Sequence, residues 1–513
     1  MVKPAIRVAL PQFPAFAGRG TVRARREAEE KCGVFGCWGI ASPATLTYLG
    51  LYSLQHRGQE SAGIAVTDGR GVDRHVGMGL VPNVFDQGTL TRLNRHAHDR
   101  QAEGYRPPGG AVGHNRYSTT GGSQIANAQP MLSQIGLDDR GATPVAIAHN
   151  GNIVNAASLR RDLEQQGHPF TTNSDTEVVL HLLAAAAAQL GHTATSDPLS
   201  TALRHCTGAF TLVLLFPDRI EAARDPWGWR PLVIGRTEEG GFIVASETVA
   251  LEVAGASLVR EVLPGEIVTI DDSGMHSRFF SSGEHTPAHC IFEHVYLASP
   301  ASRVFGKTVQ LSREATGAQL AKESPVEADW IIPMPDSGRS AAMGFSRASG
   351  IPIREGIIPN RYVGRSFIKP TGDQRAAAVR LKLNVIEEAI SGQRIIVVDD
   401  SIVRGTTTRT KMQQLRARGA REIHLRIASP PITHPCFFGI DFASPDELIA
   451  RGRSEEQIAA ELGVESVRYL SLDGLKQVVA DEAHPEDHYC AACFTGKYPV
   501  SIAGATARDA LGC

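Results

Sequence analysis

From Cys32 to about Ile270 the chain alternates short apolar runs with Gly-rich turns: GVFGCWG, SAGIAV, AVGHNRYST, PVAIAHNG, AFTLVLLF, RPLVIG, GFIVAS and EIVTI. Runs of this length bounded by glycine and polar clusters predict strands. Two stretches carry helical spacing instead, PATLTYLGLYSLQHRG and SDTEVVLHLLAAAAAQL. In the second, Ser174 and Glu177 stand at the spacing of a capping box. Runs of strands with helices held apart predict layered α+β packing. The polar segment DDSGMHSRFFSSGEHTPAH has no period and marks a junction, which divides the body into 32–272 and 273–513.

Beyond about residue 285 the rhythm becomes an alternation. LSREATGAQLAKES predicts helix, ADWIIPMP strand, SGRSAAMGFSRASG helix, QRIIVVDD strand, TTTRTKMQQLRARG helix and EIHLRIASP strand. Apolar strands alternating with helices predict βαβ units and a parallel sheet. Between them lies RYVGRSFIKPTGDQRAAAVRLKLN, basic and without period, a candidate mobile loop.

Composition sharpens this picture. The 513 residues suit about two to four domains. Lys and Arg total 52 against 54 acids, so the net charge is −2, which gives no footprint for nucleic acid or for a polybasic membrane contact. No stretch approaches 18 uninterrupted apolar residues, which argues against a membrane-spanning helix. The first 31 residues hold seven basic residues and three acids, Glu27, Glu29 and Glu30, with no serine. Pro11 and Pro14 break the apolar stretch, so it is a poor signal core, and the missing serine argues against an organelle transit peptide. Eight cysteines are too sparse for a secreted disulfide framework, so each is a candidate for chemistry or for a metal.

Cys32 opens the first strand-like run. Alone it reads as a core residue. GHNRYST adds Arg116, AHNGNI adds Asn150 and Gly151, and SDTE adds Asp175. A thiol attacking an amide needs a base, an oxyanion hole and a clamp for the substrate's charges. A cysteine at a processed N-terminus carries its own base, because an α-amino group titrates near neutrality. Removal of 1–31 as a propeptide then becomes a mechanistic requirement. For Asp175 the plain alternative is helix capping beside Ser174.

CGVFGCWG, SLQHRGQESAGIAV, GHNRYSTTG, AHNGNIVN and SDTEVV resemble the glutaminase domain of the N-terminal-nucleophile amidotransferases. Within them the match points to the glutamine phosphoribosylpyrophosphate amidotransferases. The resemblance implies an α+β N-terminal-nucleophile hydrolase domain of αββα layers. It implies Cys32 as nucleophile, Arg116 on the glutamine carboxylate and Asp175 on its ammonium. The Asn150 side chain and the Gly151 N–H would form the oxyanion hole. Lys31 stands where the family often carries an acid.

Ile395 to Val398 form an apolar strand that ends in Asp399 and Asp400, followed by SIVRGTTT and a helix. Two carboxylates at a strand end can take ribose hydroxyls and Mg²⁺, and the loop offers N–H groups to a phosphate at the helix start. A tight turn with acidic caps is the plain alternative. VVDDSIVRGTTT resembles the phosphoribosylpyrophosphate loop of type I phosphoribosyltransferases, which implies an α/β domain on a parallel sheet. By that resemblance Asp399 and Asp400 bind ribose and Mg²⁺, with Ser337 completing the metal site. Ser401, Arg404, Gly405, Thr406 and Thr407 belong to the cradle of the 5′-phosphate, which runs to Thr408. Arg361, Arg365, Arg375 and Lys382 would contact pyrophosphate from a closing loop. Pro359 stands where many members carry Lys, and HVYLASPAS departs from YFARPDS by losing an Arg and an Asp.

Cys490 and Cys493 form one C-x₂-C, which fits zinc, a redox pair or iron–sulfur ligation. With Cys290 and Cys436 they resemble the cluster-bearing branch of the family, which implies a structural 4Fe-4S centre on four thiolates. Cys37, Cys206 and Cys513 receive no function.

The resemblance therefore implies that glutamine is hydrolysed at Cys32 and its ammonia passes internally to C1 of phosphoribosylpyrophosphate. The products would be 5-phosphoribosylamine, glutamate and pyrophosphate, in the reaction that opens purine synthesis. It also implies feedback by purine nucleotides, a homotetramer and, with a free thiol and an oxygen-sensitive cluster, a cytoplasmic location. Two alternatives are a paralogous amidotransferase of specialised metabolism and a non-enzymatic phosphoribosylpyrophosphate sensor.

Overall fold

The computed structural model describes residues 32–98, 109–117, 124–138, 141–191, 196–283, 285–360, 383–440, 442 and 445–502. The leader 1–31 and Arg361, Arg365, Arg375, Lys382 and Cys513 lie outside the described residues.

Two sheets form the N-terminal half. One has seven strands in the order Ala256–Glu261, Val233–Thr237, Phe242–Ala245, Gly33–Trp38, Gly110–Arg116, Ser61–Thr67 and Val72–Met78. The other has six, in the order Gly274–Phe279, Glu266–Asp271, Ile220–Arg224, Gly208–Leu215, Gly141–Ile153 and Met131–Asp138. Val34, Val112, Ala146, Val213 and Val244 share the core between the sheets. Each outer face is covered by helix, Pro43–Ser53 and Gln87–His98 on one side and Asp175–Leu190 on the other. Alternate residues of the inner strands Gly33–Trp38, Ser61–Thr67 and Gly208–Leu215 thus face two apolar environments, which is why these strands read as nearly continuous apolar runs rather than clean alternations.

Two details depart from the sequence reading. The junction expected at 272/273 falls inside a hairpin, because Gly274–Phe279 pairs antiparallel with Glu266–Asp271. This strand lies at the sheet edge with His276, Ser277 and Phe279 exposed, so it lacks the buried period that marks its neighbours. The capping box at Ser174 does not close. Ser174 caps by accepting the Thr176 N–H, while Glu177 accepts the N–H and hydroxyl groups of Thr171 and Thr172 at 2.7 and 2.8 Å. The loop before the helix outcompetes the cap for that carboxylate.

The C-terminal half holds a parallel sheet of four strands in the order Trp330–Pro333, Arg394–Asp399, Glu422–Ile427 and Ser466–Tyr469. Helices Val309–Glu323, Arg339–Ser349 and Thr406–Ala417 flank it. The former two pack closely enough that Gly317 and Gly344 admit no side chain, since a Cβ would lie 1.8 Å from the Ala341 carbonyl and 1.7 Å from that of Glu314. The fourth strand was not expected from the sequence. It is only four residues long with two of them half-exposed, too short for a period to show.

Candidate active sites and a four-thiol region

Cys32 directly precedes the central strand Gly33–Trp38 of the seven-stranded sheet. Its side chain is buried, and Sγ lies 3.5 Å from the Tyr117 carbonyl. Gly33 pairs with Asn115, so the chain beyond Arg116 runs beside the thiol. Arg116 is itself 3% exposed and acts electrostatically on Asp175.

Asp175 is the first residue of its helix, yet its carboxylate turns away from that helix to accept the Ile153 N–H at 3.0 Å. His149 Nδ1 lies 3.6 Å from the same group. Burial pushes the Asp175 carboxyl up, but His149, the Ile153 N–H and Arg116 outweigh it and hold it below the usual range. An anionic carboxylate is thereby kept in a dry setting, which is more than helix capping requires.

Asn150 and Gly151 follow His149 on the strand Gly141–Ile153. Asn150 Nδ2 is buried without a hydrogen-bond partner. A buried donor costs about 1–3 kcal/mol when left unpaired, so an orphan at such a position points to a ligand acceptor. Gly151 has φ +150, and a Cβ there would lie 2.0 Å from the Ala209 carbonyl. Only glycine fits. Cys32 and Arg116 lie with the seven-stranded sheet, Asn150 and Gly151 on the six-stranded sheet packed against it, and Asp175 at a helix start bonded to that same strand.

In the C-terminal half, Asp399 ends the strand Arg394–Asp399, and both it and Asp400 are 7% exposed. Ser337 Oγ donates to Asp399 Oδ1 at 3.3 Å, as does the Asp400 N–H at 3.0 Å. Burial first, then the neighbouring Asp400, raise the Asp399 carboxyl well above its ordinary value, with Lys411 opposing. Two adjacent buried carboxylates form a site that a cation would relieve. Gly405 is left-handed at φ +72 before the helix Thr406–Ala417, and a Cβ would meet Ile449 Cδ1 at 2.4 Å. Two cradle residues are engaged within the protein. Ser401 Oγ donates to Asp400 at 2.8 Å, and Arg404 Nε donates to Glu447 at 2.8 Å.

The distant segments that carry four cysteines come together. His289–Cys290 pairs in parallel with Tyr489–Cys490, with Cys290 opposite Cys490. The Thr433 and His434 N–H groups both donate to the Cys493 carbonyl at 3.0 Å, which brings the Cys436 segment alongside. Burial raises all four thiols, and Cys436, Cys490 and Cys290 add to the rise at Cys493.

Sequence reasoning missed a buried charge network between the halves. Arg57 donates to Glu247 and, at 2.6 Å, to Glu293; Arg230 reaches Glu293 at 3.3 Å. All four side chains are at most 3% exposed. Arg57 lies inside the quoted SLQHRGQES motif, but Glu247 and Glu293 carry no local signature.

A family model described as a glutamine amidotransferase domain matches residues 114–253, a span that holds Arg116, Asn150, Gly151 and Asp175. Over 487 residues the chain is 44% identical to amidophosphoribosyltransferase of Synechococcus elongatus, covering 94% of each. The chain belongs to the amidophosphoribosyltransferase family. A solved structure described as the allosteric regulatory enzyme of purine biosynthesis matches with TM-score 0.82 and 43% identity, over 92% of this chain and 97% of that one. Glutamine phosphoribosylpyrophosphate amidotransferase from Bacillus subtilis, complexed with ADP and GMP, matches with TM-score 0.81 and 43% identity over 92% and 98%. As an amidophosphoribosyltransferase the chain joins a class II glutamine amidotransferase domain to a parallel-sheet phosphoribosyltransferase domain. Its activity is glutamine-dependent amidophosphoribosyl transfer, the first step of purine biosynthesis. Among the described residues no helix is long and apolar enough to cross a membrane.

Proposed function

We propose that this amidophosphoribosyltransferase works through two sites with the following residues. Once 1–31 is removed, the Cys32 α-amino group takes the thiol proton and Sγ attacks the glutamine γ-amide carbon. Arg116 forks the substrate carboxylate and Asp175 pairs with its ammonium. The Asn150 amide and the Gly151 N–H receive the oxyanion, ammonia leaves, and water releases glutamate from the thioester. The observation that carries this reading is the buried, unpaired Asn150 Nδ2, on the same strand as the Ile153 N–H that holds the anionic Asp175.

At the second site Asp399 and Asp400 take the ribose hydroxyls, and ammonia displaces pyrophosphate from C1. Internal passage matters because ammonia released to neutral water becomes ammonium, which has no lone pair to attack with. The donor set fits Mg²⁺, which commonly needs only one or two carboxylates plus substrate phosphates. Asp399 and Asp400 would hold it, with Ser337 steadying Asp399, and it would neutralise charge on the leaving pyrophosphate. Gly405, Thr406 and Thr407 offer N–H groups and hydroxyls to the 5′-phosphate, with Ser401 and Arg404 shaping the loop behind them. Arg361 and Arg365 contact pyrophosphate.

Cys290, Cys436, Cys490 and Cys493 would hold a 4Fe-4S centre, and the pairing of Cys290 with Cys490 supports reading the chain as a cluster-bearing member of the family. The Phe438 N–H lies 3.4 Å from Cys436 Sγ, and Arg230 acts on Cys290 and Cys436, so an anionic centre would meet a donor and a cation. Its role is structural, a staple for the C-terminal segment. Purine nucleotides act as feedback inhibitors, as the ADP and GMP of the Bacillus subtilis complex suggest. The assembly is a homotetramer in the cytoplasm.

Purified Cys32→Ala protein tests the two-site reading. It loses glutamine-dependent pyrophosphate release and keeps release driven by ammonium chloride. Equal loss of both contradicts it, as does a mature chain whose intact mass does not begin at Cys32.

A further inference from the structure

The loop that carries Cys436 also reaches into the glutaminase half. Asn152 Nδ2 donates to the Phe437 carbonyl at 2.8 Å, and Arg230 Nη2 donates to the Phe438 carbonyl at 2.9 Å. The Phe438 ring stacks on Trp229 with centroids 4.4 Å apart, inside an apolar cluster that includes Ala209 and Ala288. Gly439 completes the contact. It has φ +91, and a Cβ there would come within 3.2 Å of both the Gly151 carbonyl carbon and Arg230 Nη2.

Gly151 is therefore walled on two sides. The strand Gly208–Leu215 lies against one, where Ala209 leaves no space for a side chain, and Gly439 lies against the other. A glycine at φ +150 has no steric preference of its own to hold that angle. Fixing its carbonyl end from outside fixes the rotation about N–Cα, and with it the relation between the Gly151 N–H and the rest of the strand. Arg230 secures the loop from behind, since it is anchored to Glu293 as well as to Phe438.

We propose that the Cys436–Gly439 loop, clamped by Arg230, is a positioning element for glutamine hydrolysis that holds Gly151 from the phosphoribosyl half. The inference rests on the assignment of Asn150 and Gly151 as oxyanion donors. It makes the loop a mechanical link: the segment that bears a thiol of the four-cysteine region also sets the oxyanion geometry. A catalytic group displaced by about 1 Å can lose up to about 100-fold in rate, so a small shift in this loop is enough to be read kinetically.

The test uses the mature protein that begins at Cys32, purified without oxygen, with Gly439→Ala and, from the opposite side of the contact, Asn152→Leu. Each is expected to lower kcat for glutamine hydrolysis by about 10- to 100-fold, with KM for glutamine within about twofold. Ammonia-dependent pyrophosphate release and iron per chain stay at the wild-type level. Should Gly439→Ala not accumulate as folded protein, Asn152→Leu carries the test. An unchanged kcat overturns the proposal, and so does a parallel loss of ammonia-dependent activity or iron, which marks a general lesion. Asn150→Ala separates the two levels. If it leaves kcat intact, the oxyanion assignment itself fails; if it lowers kcat while the loop variants do not, only the positioning role fails.

Discussion

Glu247 of the glutaminase half accepts the Ser302 hydroxyl of the phosphoribosyl half at 2.6 Å. The same carboxylate oxygen accepts the Ser299 N–H at 2.8 Å, while the other meets His56 Nε2 at 2.7 Å and Arg57 Nε. Ala298 to Ser302 is the segment that departs from the family pattern. Ser299 stands where an Arg was expected, yet it contributes only a backbone N–H, which any residue but proline supplies. The hydroxyl that matters, Ser302, is retained. The missing Arg therefore leaves this contact between the halves intact, and nothing in the structure explains Ala301 in place of the Asp.

Replacing Glu247 with Gln destabilises the fold by about 3–5 kcal/mol near neutral pH, because Arg57 loses a buried partner. Burial pushes the Glu247 carboxyl up, but Arg57, His56 and Ser302 prevail and hold it well below the usual range. A depressed acid contributes stability that is complete above its unfolded value, about 4.3, and is lost as pH falls through its native value. The Tm difference between wild type and variant thus narrows as pH drops below about 4.3. A constant difference from neutral to acid pH contradicts this account.

Asp175→Asn keeps an oxygen for the Ile153 N–H but removes the charge offered to the substrate ammonium. A hydrogen bond to a charged group is worth about 1.5–3 kcal/mol, so KM for glutamine rises by roughly 10- to 150-fold. Ammonia-dependent turnover, which does not use this site, is unchanged. Steady-state kinetics with both nitrogen sources decide the point.

Asp399→Asn acts on the other half. It lowers pyrophosphate release by roughly 100-fold or more with either glutamine or ammonia, because metal stabilisation worth several kcal/mol is weakened. Hydrolysis of glutamine without phosphoribosylpyrophosphate persists. Calorimetric titration of Mg²⁺ and phosphoribosylpyrophosphate shows weaker binding; wild-type affinity with wild-type turnover refutes the assignment.

Protein purified without oxygen is brown and holds about four irons per chain, as a 4Fe-4S centre requires. Cys436→Ser reduces the iron content. Colourless protein carrying one zinc per chain rules the centre out.

The structure separates what can be read along a chain from what cannot. Several catalytic candidates sit at the end of a strand or the start of a helix, and local periodicity marks such places. Asp399 ends an apolar strand, Asp175 begins a long helix, and Gly151 lies within a strand at a place that admits no side chain. The edge hairpin at Asp271–Gly274 escaped because an edge strand has one open side and need not keep an apolar period.

By itself the sequence determined the two folds, their order, and the motifs that carry the chemistry, since short-range pattern and turn residues specify strands, helices and loops. Tertiary structure alone decided which distant groups meet. Arg57 with Glu247 and Glu293, Cys290 opposite Cys490, and Gly439 against Gly151 each join segments far apart in the chain. The physical reason lies in burial. A charge or a thiol removed from water needs partners, and those partners come from whatever elements the packed core brings beside it. No local spacing records that requirement, so the link between the two halves becomes visible only once both are folded together.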